Sequence, residues 1–288
     1  MAQRKLRFAL FGNVYQAKKS AAIQKVLSSL SEFGAELLVD AEYYRFLKDD
    51  QQIDVSAVEA FDGRDFEADF AISMGGDGTF LKTAGRVGHK QIPILGVNMG
   101  RLGFLADIAP ADIEACLQML YDGNYAVEQR AMIEVATFGW HALNDVAILK
   151  RDTASMISIK VSIDGEYLTT YQADGLVVST PTGSTAYSLS NGGPIIVPGT
   201  NVLSMTAVAP HSLNVRPIVI PDTAEITLDV ESRSHSFLVA VDGSSEKCRE
   251  GTRITLRRAP FNMFIVKRSS QQYFSTLREK MMWGADVR

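Results

Sequence analysis

The sequence predicts an α/β domain with a mostly parallel sheet, Rossmann-like in type, followed by an antiparallel, β-rich domain of sandwich type. Over roughly the first 125 residues, short apolar runs alternate with segments of helical periodicity, the pattern of βαβ units. From about Tyr125 onward, apolar and polar residues alternate along several segments, which is typical of half-buried strands. The length of 288 residues also favours two domains over one.

The first domain is predicted to run strand, helix, strand, helix. The strands are expected at Lys5–Phe11, Leu37–Val39, Asp69–Met74 and Ile92–Val97. Apolar residues at helical spacing predict helices over residues 17–33, from near Gly78, and over Pro110–Tyr121. Gly34 and Gly123 follow two of these helices and supply the left-handed residue that commonly ends a helix.

The second domain shows the period-2 alternation most clearly in three segments, which are Ile157–Ile163, Ile226–Val230 and Ile254–Leu256. Residues 182–190 predict a short helix among these strands, and Tyr273–Trp283 regains helical spacing at the end of the chain. We therefore expect an α/β domain of residues 1–124 together with 271–288, and a β-rich domain of residues 125–270.

Composition excludes several classes of protein. The formal net charge is −4, so no global basic field exists to bind nucleic acid or an anionic membrane. No segment has the continuous apolar length of a membrane span or of a secretory signal, and two cysteines cannot form a disulfide framework, so a cytoplasmic location is expected. Phosphate-loop, G-x-S-x-G and H-E-x-x-H motifs are absent, and the four histidines are scattered.

Glycines concentrate where two predicted strands end. The run Gly75–Thr79, with sequence GGDGT, follows one strand and opens a helix, so backbone N–H groups and the helix N-terminus are suited to a phosphate. Asp77 lies in this run, where a turn or capping role is the plain structural alternative, and Lys82 lies one turn further on. A second glycine-rich turn, at residues 96–104, follows the next strand and contains Asn98 and Arg101.

Four motifs in order carry a resemblance to a known family. They are GGDGT at residues 75–79, Asn98-x-Gly-x-Leu-Gly-Phe104, Asn144-Asp145, and the long run from Asp174 to Ser190 that contains PTGSTAYSLS. Together they resemble the NAD kinases over residues 5 to 265, and the last run is the most specific. The resemblance implies the two-domain fold and transfer of the γ-phosphoryl group of ATP to the 2′-hydroxyl of the adenosine ribose of NAD, which gives NADP.

The resemblance also implies the partners and the roles of individual residues. A divalent cation, magnesium above all, accompanies ATP, and the protein forms a homodimer or homotetramer with a dinucleotide site partly shared between subunits. The β-rich domain is expected to bind NAD and to mediate oligomerisation. Asp77 matches the proton acceptor from the 2′-hydroxyl, although the sequence leaves a role as metal ligand open. The expected NAD and ATP contacts are Gly75, Gly76, Asp77, Gly78, Thr79, Lys82, Asn98, Asn144, Asp145, Asp174, Thr185, Ala186, Tyr187, Ser188, Ser190, Ala209, His211 and Ser244.

One position departs from a common pattern of the family. Gln172 occupies a place where many relatives have arginine, a residue associated with preference for NAD over NADH, so phosphorylation of NADH is left open. Two other functions compete with the resemblance. A lipid or sugar kinase with a GGDGT turn does not predict PTGSTAYSLS, and a non-catalytic nucleotide-binding regulator does not require the carboxylates of Asp77, Asp145 and Asp174.

Overall fold

The computed structural model describes residues 5–15, 20–56, 58–100, 103–152, 155–267 and 273–282. Two compact units form, the first from residues 1–128 together with 264–288 and the second from residues 129–263. Among the residues described, no helix is long and apolar enough to cross a membrane.

The first unit contains a parallel sheet. Its strands are β1 (Arg7–Gly12), β2 (Glu36–Asp40), β3 (Glu59–Phe61), β4 (Phe70–Gly75) and β5 (Ile94–Asn98). The spatial order is β3-β2-β1-β4-β5, and every neighbouring pair is parallel. All residues of β4 and β5 are buried, as expected for central strands covered on both faces.

The second unit is built from antiparallel strands. They are β6 (Ala126–Val135), β7 (Trp140–Ala142), β8 (Asp145–Lys150), β9 (Ile157–Ile163), β10 (Glu166–Ala173), β11 (Gly175–Ser179), β12 (Val202–Val208), β13 (Ile218–Pro221), β14 (Ile226–Glu231), β15 (Ser236–Val241), β16 (Ser244–Arg249) and β17 (Ile254–Lys267). One sheet has the order β13-β12-β11-β8-β15-β16, and the other contains β10-β9-β14-β17 with β6 and β7. The end of β17 belongs to the first unit, where Ile265 pairs with Ile94 of β5.

Six α-helices accompany these strands in the described residues. They are α1 (Ser20–Glu32), α2 (Ala41–Arg45), α3 (Asp77–Val87), α4 (Ile113–Tyr121), α5 (Tyr187–Ser190) and α6 (Tyr273–Met281). A π-helical turn, Phe46–Asp50, continues α2, and short 3-10 turns occupy Gly88–Lys90, Pro110–Asp112 and Gly183–Thr185. Only α5 and the last of these turns belong to the second unit.

Each unit has its own apolar core. In the first, side chains of the central strands such as Phe8 and Ile72 pack with Ile23 of α1 and Leu117 of α4. In the second, one cluster draws on both sheets, as a sandwich requires. The inward residues of β9 are the alternating apolar ones that the sequence pattern selects, so periodicity located this face correctly.

The fold class predicted from the sequence is confirmed, with local differences. The segment Ala41–Asp50 is helical although no helix was expected there, since ten residues are too few for a clear periodicity. Strand β3 has three residues at the sheet edge and leaves almost no pattern. The expected helix over 182–190 is a 3-10 turn and a single α-turn separated by Ala186, whose φ of −103° and ψ of −125° are not helical.

Candidate active site

The glycine-rich turn GGDGT joins β4 to α3 in the first unit. Gly76 precedes the first residue of α3, which is Asp77. A Cβ atom on Gly76 or Gly78 would meet nothing within 4 Å, and neither residue has a positive φ. Neither packing nor backbone conformation therefore requires glycine at these two positions. Two glycines that the free fold does not need are expected where a ligand approaches the backbone closely.

The carboxylate of Asp77 accepts four hydrogen bonds. Its Oδ2 oxygen accepts from the Phe104 N–H at 2.9 Å and from the Lys280 ammonium at 3.2 Å. Its Oδ1 oxygen accepts from the N–H groups of Leu105 and Ala106, each at 3.0 Å. The turn after β4 and the turn after β5 are thus joined through one side chain, as adjacent parallel strands permit.

These donors decide the charge of Asp77. Burial by itself raises the pKa of the carboxyl group. The three backbone N–H groups and the Lys280 charge outweigh burial, so the pKa of Asp77 lies below its ordinary value. Asp77 is therefore a carboxylate at neutral pH.

A direct metal-ligand role for Asp77 would require one of its four donors to leave. A carboxylate offers about four lone-pair directions, and four donors already use them. In the part of the chain that the structure describes, no group of three or more His, Cys, Asp and Glu side chains is placed to hold a metal ion.

Asn98 holds the second glycine-rich turn together. Its side chain donates to the Ala106 carbonyl at 3.2 Å and accepts from the Gly100 N–H at 2.6 Å, and the residue is buried. At Gly103, a Cβ atom would lie 2.0 Å from Asp77 Oδ1, so this turn approaches the carboxylate as closely as glycine allows. Arg101 lies outside the described residues. Lys82 is exposed on α3, on the turn after the glycines.

In the second unit, the predicted residues fall at the two ends of β11. The first group, the Asn144 end, comprises Asn144, Asp145, residues 180–185, Asp242 and Ser244. Ser179, the last residue of β11, pairs with Asp145 at the start of β8, while Val241 of β15 pairs with Val146. The second group, the Asp174 end, comprises Gln172, Asp174, Ala209 and His211.

At the Asn144 end, Asp242 organises the chain before β8. Its carboxylate accepts from the N–H groups of Leu143 at 2.7 Å, Asn144 at 2.8 Å and Asp145 at 3.2 Å. Asp242 has a φ of +48°, a conformation that aspartate tolerates better than most residues. The Oδ1 oxygen of Asn144 is buried and accepts no hydrogen bond from any described residue.

Asp145 and Asp242 form a coupled acidic pair. Burial raises the pKa of Asp145 to about 7, and the negative charge of Asp242 acts in the same direction. Burial also raises the pKa of Asp242, although its three N–H donors oppose that effect. Because Asp242 needs its charge to accept three N–H groups, the proton near neutral pH belongs on Asp145.

The PTGST segment packs directly on Asn144. The Thr180 hydroxyl donates to the Leu143 carbonyl at 2.6 Å, and a Cβ atom on Gly183 would lie 2.2 Å from the Asn144 carbonyl oxygen. Beyond this turn, Thr185 and Ala186 are half-buried, while Tyr187 and Ser190 are exposed. Ser188 instead points inward and shares a hydrogen bond of 3.0 Å with Thr206.

At the Asp174 end, backbone pairing brings three candidates together. The Asp174 N–H donates to the Val208 carbonyl at 2.9 Å, which places Asp174 beside Ala209, and the His211 N–H donates to the Gln172 carbonyl at 2.8 Å. Asp174 also pairs with Lys150 at 2.7 Å. Ala209 and His211 are exposed, and Ala209 has a φ of +42°.

Sequence reasoning missed three residues of these sites. Lys280 lies on the predicted final helix but carries no motif, and Asp242 was not among the expected contacts although Ser244, two positions further on, was. Gly103 was counted among the clustered glycines without its contact to Asp77. The one available signal was the glycine itself, since glycine after a strand can mark a close approach.

Comparisons with known proteins point to one family. Two family models match the chain, the ATP-NAD kinase N-terminal domain over residues 9–125 and the ATP-NAD kinase C-terminal domain over residues 143–268. A NAD kinase of Bacteroides fragilis is 58% identical over 289 residues, which cover 98% of this chain and 100% of that protein. A NAD kinase of Porphyromonas gingivalis is 42% identical over 286 residues, covering 98% and 99%.

Solved structures give the same result. The crystal structure of an NAD kinase from Archaeoglobus fulgidus in complex with ATP has a TM-score of 0.78 and 25% identity, covering 96% of this chain and 99% of that one. The yeast NADH kinase complexed with NADH has a TM-score of 0.88 and 21% identity, covering 100% and 90%, and shows the likeness of fold.

An α/β unit with a glycine-rich turn at a buried strand end, followed by a β-sandwich unit with its own polar clusters, is an arrangement suited to a nucleotide-dependent phosphotransferase. Two family models that together cover most of the chain, and relatives at 58% and 42% identity, settle which one. The chain belongs to the NAD kinase family. Its activity is the transfer of the γ-phosphoryl group of ATP to the 2′-hydroxyl of the adenosine ribose of NAD, which gives NADP.

Proposed function

We propose that the first unit supplies the chemistry of this reaction through Asp77 and that the second unit binds the dinucleotide. The observation that carries the proposal is the carboxylate held at the start of α3 between two glycine-rich turns. The division follows the domains predicted from the sequence, residues 1–124 with 271–288 for phosphoryl transfer and residues 125–270 for NAD binding and oligomerisation.

Asp77 accepts the hydrogen bond of the attacking 2′-hydroxyl in this proposal. Phosphoryl transfer is largely dissociative, so orientation of the hydroxyl matters more than its early deprotonation. A carboxylate with a low pKa suits that role, because it stays charged while bond formation makes the hydroxyl proton acidic. Asp77 then accepts the proton late in the step.

The phosphates of ATP approach the backbone at Gly75, Gly76, Gly78 and Thr79, next to the N-terminus of α3. The open space around Gly76 and Gly78 supports this placement. Lys82 is exposed and within one turn, so its long side chain is free to reach a phosphate. Asn98 acts by shaping the turn that presents Asp77.

Magnesium is proposed to enter with the phosphates of ATP. Magnesium in phosphotransferases is commonly held by substrate phosphates, one or two carboxylates and water. When bound, it would neutralise phosphate charge. Among the residues that the structure describes, no group of three or more His, Cys, Asp and Glu side chains is placed to bind it without the phosphates.

The dinucleotide is proposed to contact both ends of β11. At the Asn144 end, Asn144 and Asp145 are suited to ribose hydroxyls, and a hydroxyl donor would satisfy the buried Oδ1 of Asn144. The exposed Tyr187 and Ser190, with Thr185, Ala186 and Ser244, complete this part of the site. Asp174, Ala209 and His211 form the other part. Ser188 contributes by fixing α5 against Thr206.

The two ends of β11 support an oligomeric site. Asp174 and Thr180 are six positions apart on an extended chain, which corresponds to about 20 Å. We propose that a dinucleotide uses the two ends from different subunits of a homodimer or homotetramer. We also propose a cytoplasmic location, which the presence of two cysteines, too few for a disulfide framework, supports.

Phosphorylation of NADH is proposed as a second activity. Gln172 is exposed at the Asp174 end and is neutral, so it does not repel or attract the reduced and oxidised nicotinamide differently by charge. This supports acceptance of both forms.

The test measures ATP-dependent formation of NADP from NAD, and of NADPH from NADH, with purified protein. We expect both products, and Asp77→Asn should lower kcat by about 10²–10⁴, the usual contribution of a general base. Thermal melting of the variant controls for folding. If Asp77→Asn keeps the parental kcat, Asp77 takes no part in the chemistry. If no NADPH forms from NADH, the proposed activity on NADH is wrong.

A further inference from the structure

Helix α6 places the ammonium group of Lys280 beside the carboxylate of Asp77. Lys280 donates to Asp77 Oδ2 at 3.2 Å although the two residues are 203 positions apart in the chain. The two side chains are 28% and 29% exposed, so the pair lies at the surface of the site rather than in the core. Exposed ion pairs contribute little to stability, so stability does not by itself account for this contact.

Phe104 fixes the lysine in this position. The Lys280 ammonium lies 4.6 Å from the centre of the Phe104 ring, a cation–π contact. The N–H of the same Phe104 donates to the same oxygen, Asp77 Oδ2, at 2.9 Å. One residue therefore orients both the carboxylate and the cation that pairs with it.

A second contact joins the C-terminal segment to the same turn. Lys267, at the end of β17, pairs with Asp107, which follows directly after the residues that donate to Asp77. Asp107 is buried and Lys267 is nearly so. The segment from Lys267 to Lys280 thus contacts the Asp77 turn at both of its described ends.

The four hydrogen-bond donors to Asp77 differ in how easily they can move away from the carboxylate. Three are backbone N–H groups of consecutive residues, and Asn98 and Gly103 hold the turn that carries them. The fourth is the ammonium of a flexible side chain near the end of a helix. A hydroxyl that donates to Asp77 can replace Lys280 without disturbing the backbone.

We propose that Lys280 is a positioning residue for Asp77, which holds the carboxylate by Oδ2 and gives up that hydrogen bond to the substrate hydroxyl. The inference rests on the proposed role of Asp77 in phosphoryl transfer. Lys280 takes no proton and forms no bond in the reaction. Its charge keeps the carboxylate in place before the hydroxyl arrives, and its side chain moves to admit that hydroxyl.

The experiment compares Lys280→Met and Lys280→Arg with Lys90→Met. Lys90 is a matched control, since its ammonium also lies over a phenylalanine ring, that of Phe66, at 5.3 Å. We expect Lys280→Met to lower kcat about tenfold with the KM values for NAD and ATP within twofold, because a smaller fraction of the bound complexes would then have the carboxylate in position for the hydroxyl. Lys280→Arg should recover most of the kcat, and Lys90→Met should leave kcat unchanged.

A double variant shows whether Lys280 acts through Asp77. Added to Asp77→Asn, Lys280→Met should cost no further kcat, because the group it positions is already lost. An equal tenfold loss in that background, or a raised KM for ATP, would overturn the proposal and assign Lys280 to the phosphates. Parental kcat in Lys280→Met, or no recovery in Lys280→Arg, would also overturn it.

A readout without activity separates this inference from the proposed function. Urea unfolding of the four proteins of the Asp77/Lys280 cycle should show a small but measurable coupling between the two substitutions, of the size that exposed ion pairs give. If the two substitutions are coupled but the parent protein forms no NADP, the contact between Lys280 and Asp77 is real and the proposed function is wrong. An absence of coupling in an active enzyme would remove the positioning role alone.

Discussion

Asp145 is a buried carboxyl group whose pKa is raised mainly by burial and further by its neighbour Asp242. The Asp242 carboxylate accepts hydrogen bonds from three backbone N–H groups, and burial, together with the negative charge of Asp242, raises the pKa of Asp145 to about 7. The unfolded chain would ionise the same group near its ordinary value, about 4. The folded protein therefore binds more protons than the unfolded chain between these two values.

This difference predicts how stability depends on pH. The free energy of unfolding should fall as pH rises from about 4 to 7, because the folded state must give up a proton that the unfolded state has already lost. Asp145→Asn removes this titration. Between pH 5.5 and pH 8, the variant should lose less stability than the parent, by an amount on the order of 1–2 kcal/mol.

Urea unfolding at these two pH values, without ligand, measures the effect. Titrating groups away from the Asp145–Asp242 pair are common to both proteins and act as the internal control. Equal changes with pH in parent and variant would show that Asp145 titrates normally.

At the scale of the element, helix α3 contains two glycines, Gly78 and Gly85, whose proposed distances from the bound phosphates differ. Gly78 lies in its first turn, where phosphate is proposed to bind, and Gly85 lies in its last two turns. A Cβ atom on either would meet nothing within 4 Å. The two positions are alike for the free protein and differ only in what a ligand would meet.

Alanine at these positions separates folding from binding. Gly85→Ala should raise stability by up to about 1 kcal/mol through helix propensity and leave kinetics unchanged. Gly78→Ala should not destabilise the protein, but its methyl group should raise the KM for ATP about tenfold or more, about 1.4 kcal/mol of lost binding. Steady-state kinetics and thermal melting of both variants measure this. Identical kinetics in the two variants would place the phosphates elsewhere.

Elements were predictable from the sequence where their pattern is local. The apolar runs of β4 and β5 and the alternation of β9 are properties of neighbouring residues, and each strand formed where the pattern indicated. Strand β3 and the helical segment Ala41–Asp50 were not predictable from the sequence. They are short and depend on the sheet and core they pack against.

At the scale of the whole molecule, the two ends of β11 make a prediction about assembly. We consider a site that takes the Asn144 end from one subunit and the Asp174 end from another. In a dimer of identical variants, a substitution at either end then damages both sites. Asn144→Ala and Asp174→Ala should each be weakly active alone. Coexpressed, they should regain about a quarter of the parental activity, because half of the dimers are mixed and one of their two sites is intact.

Sedimentation velocity of the parent and of each variant provides the control, since all must show the same oligomer. No recovery on coexpression would mean that each site belongs to one subunit. A parent that is active and strictly monomeric would contradict the shared site altogether.

The sequence by itself determined the fold class, the glycine-rich turns and the order of the motifs that define the family. These depend on periodicity and on residues adjacent in the chain, which sequence records directly. Only the tertiary structure decided which groups surround the carboxylates. Lys280 reaches Asp77 across 203 positions, and Asp242 reaches residues 143–145 across nearly 100. Charge and pKa follow from burial and from such distant partners, and no local pattern encodes either.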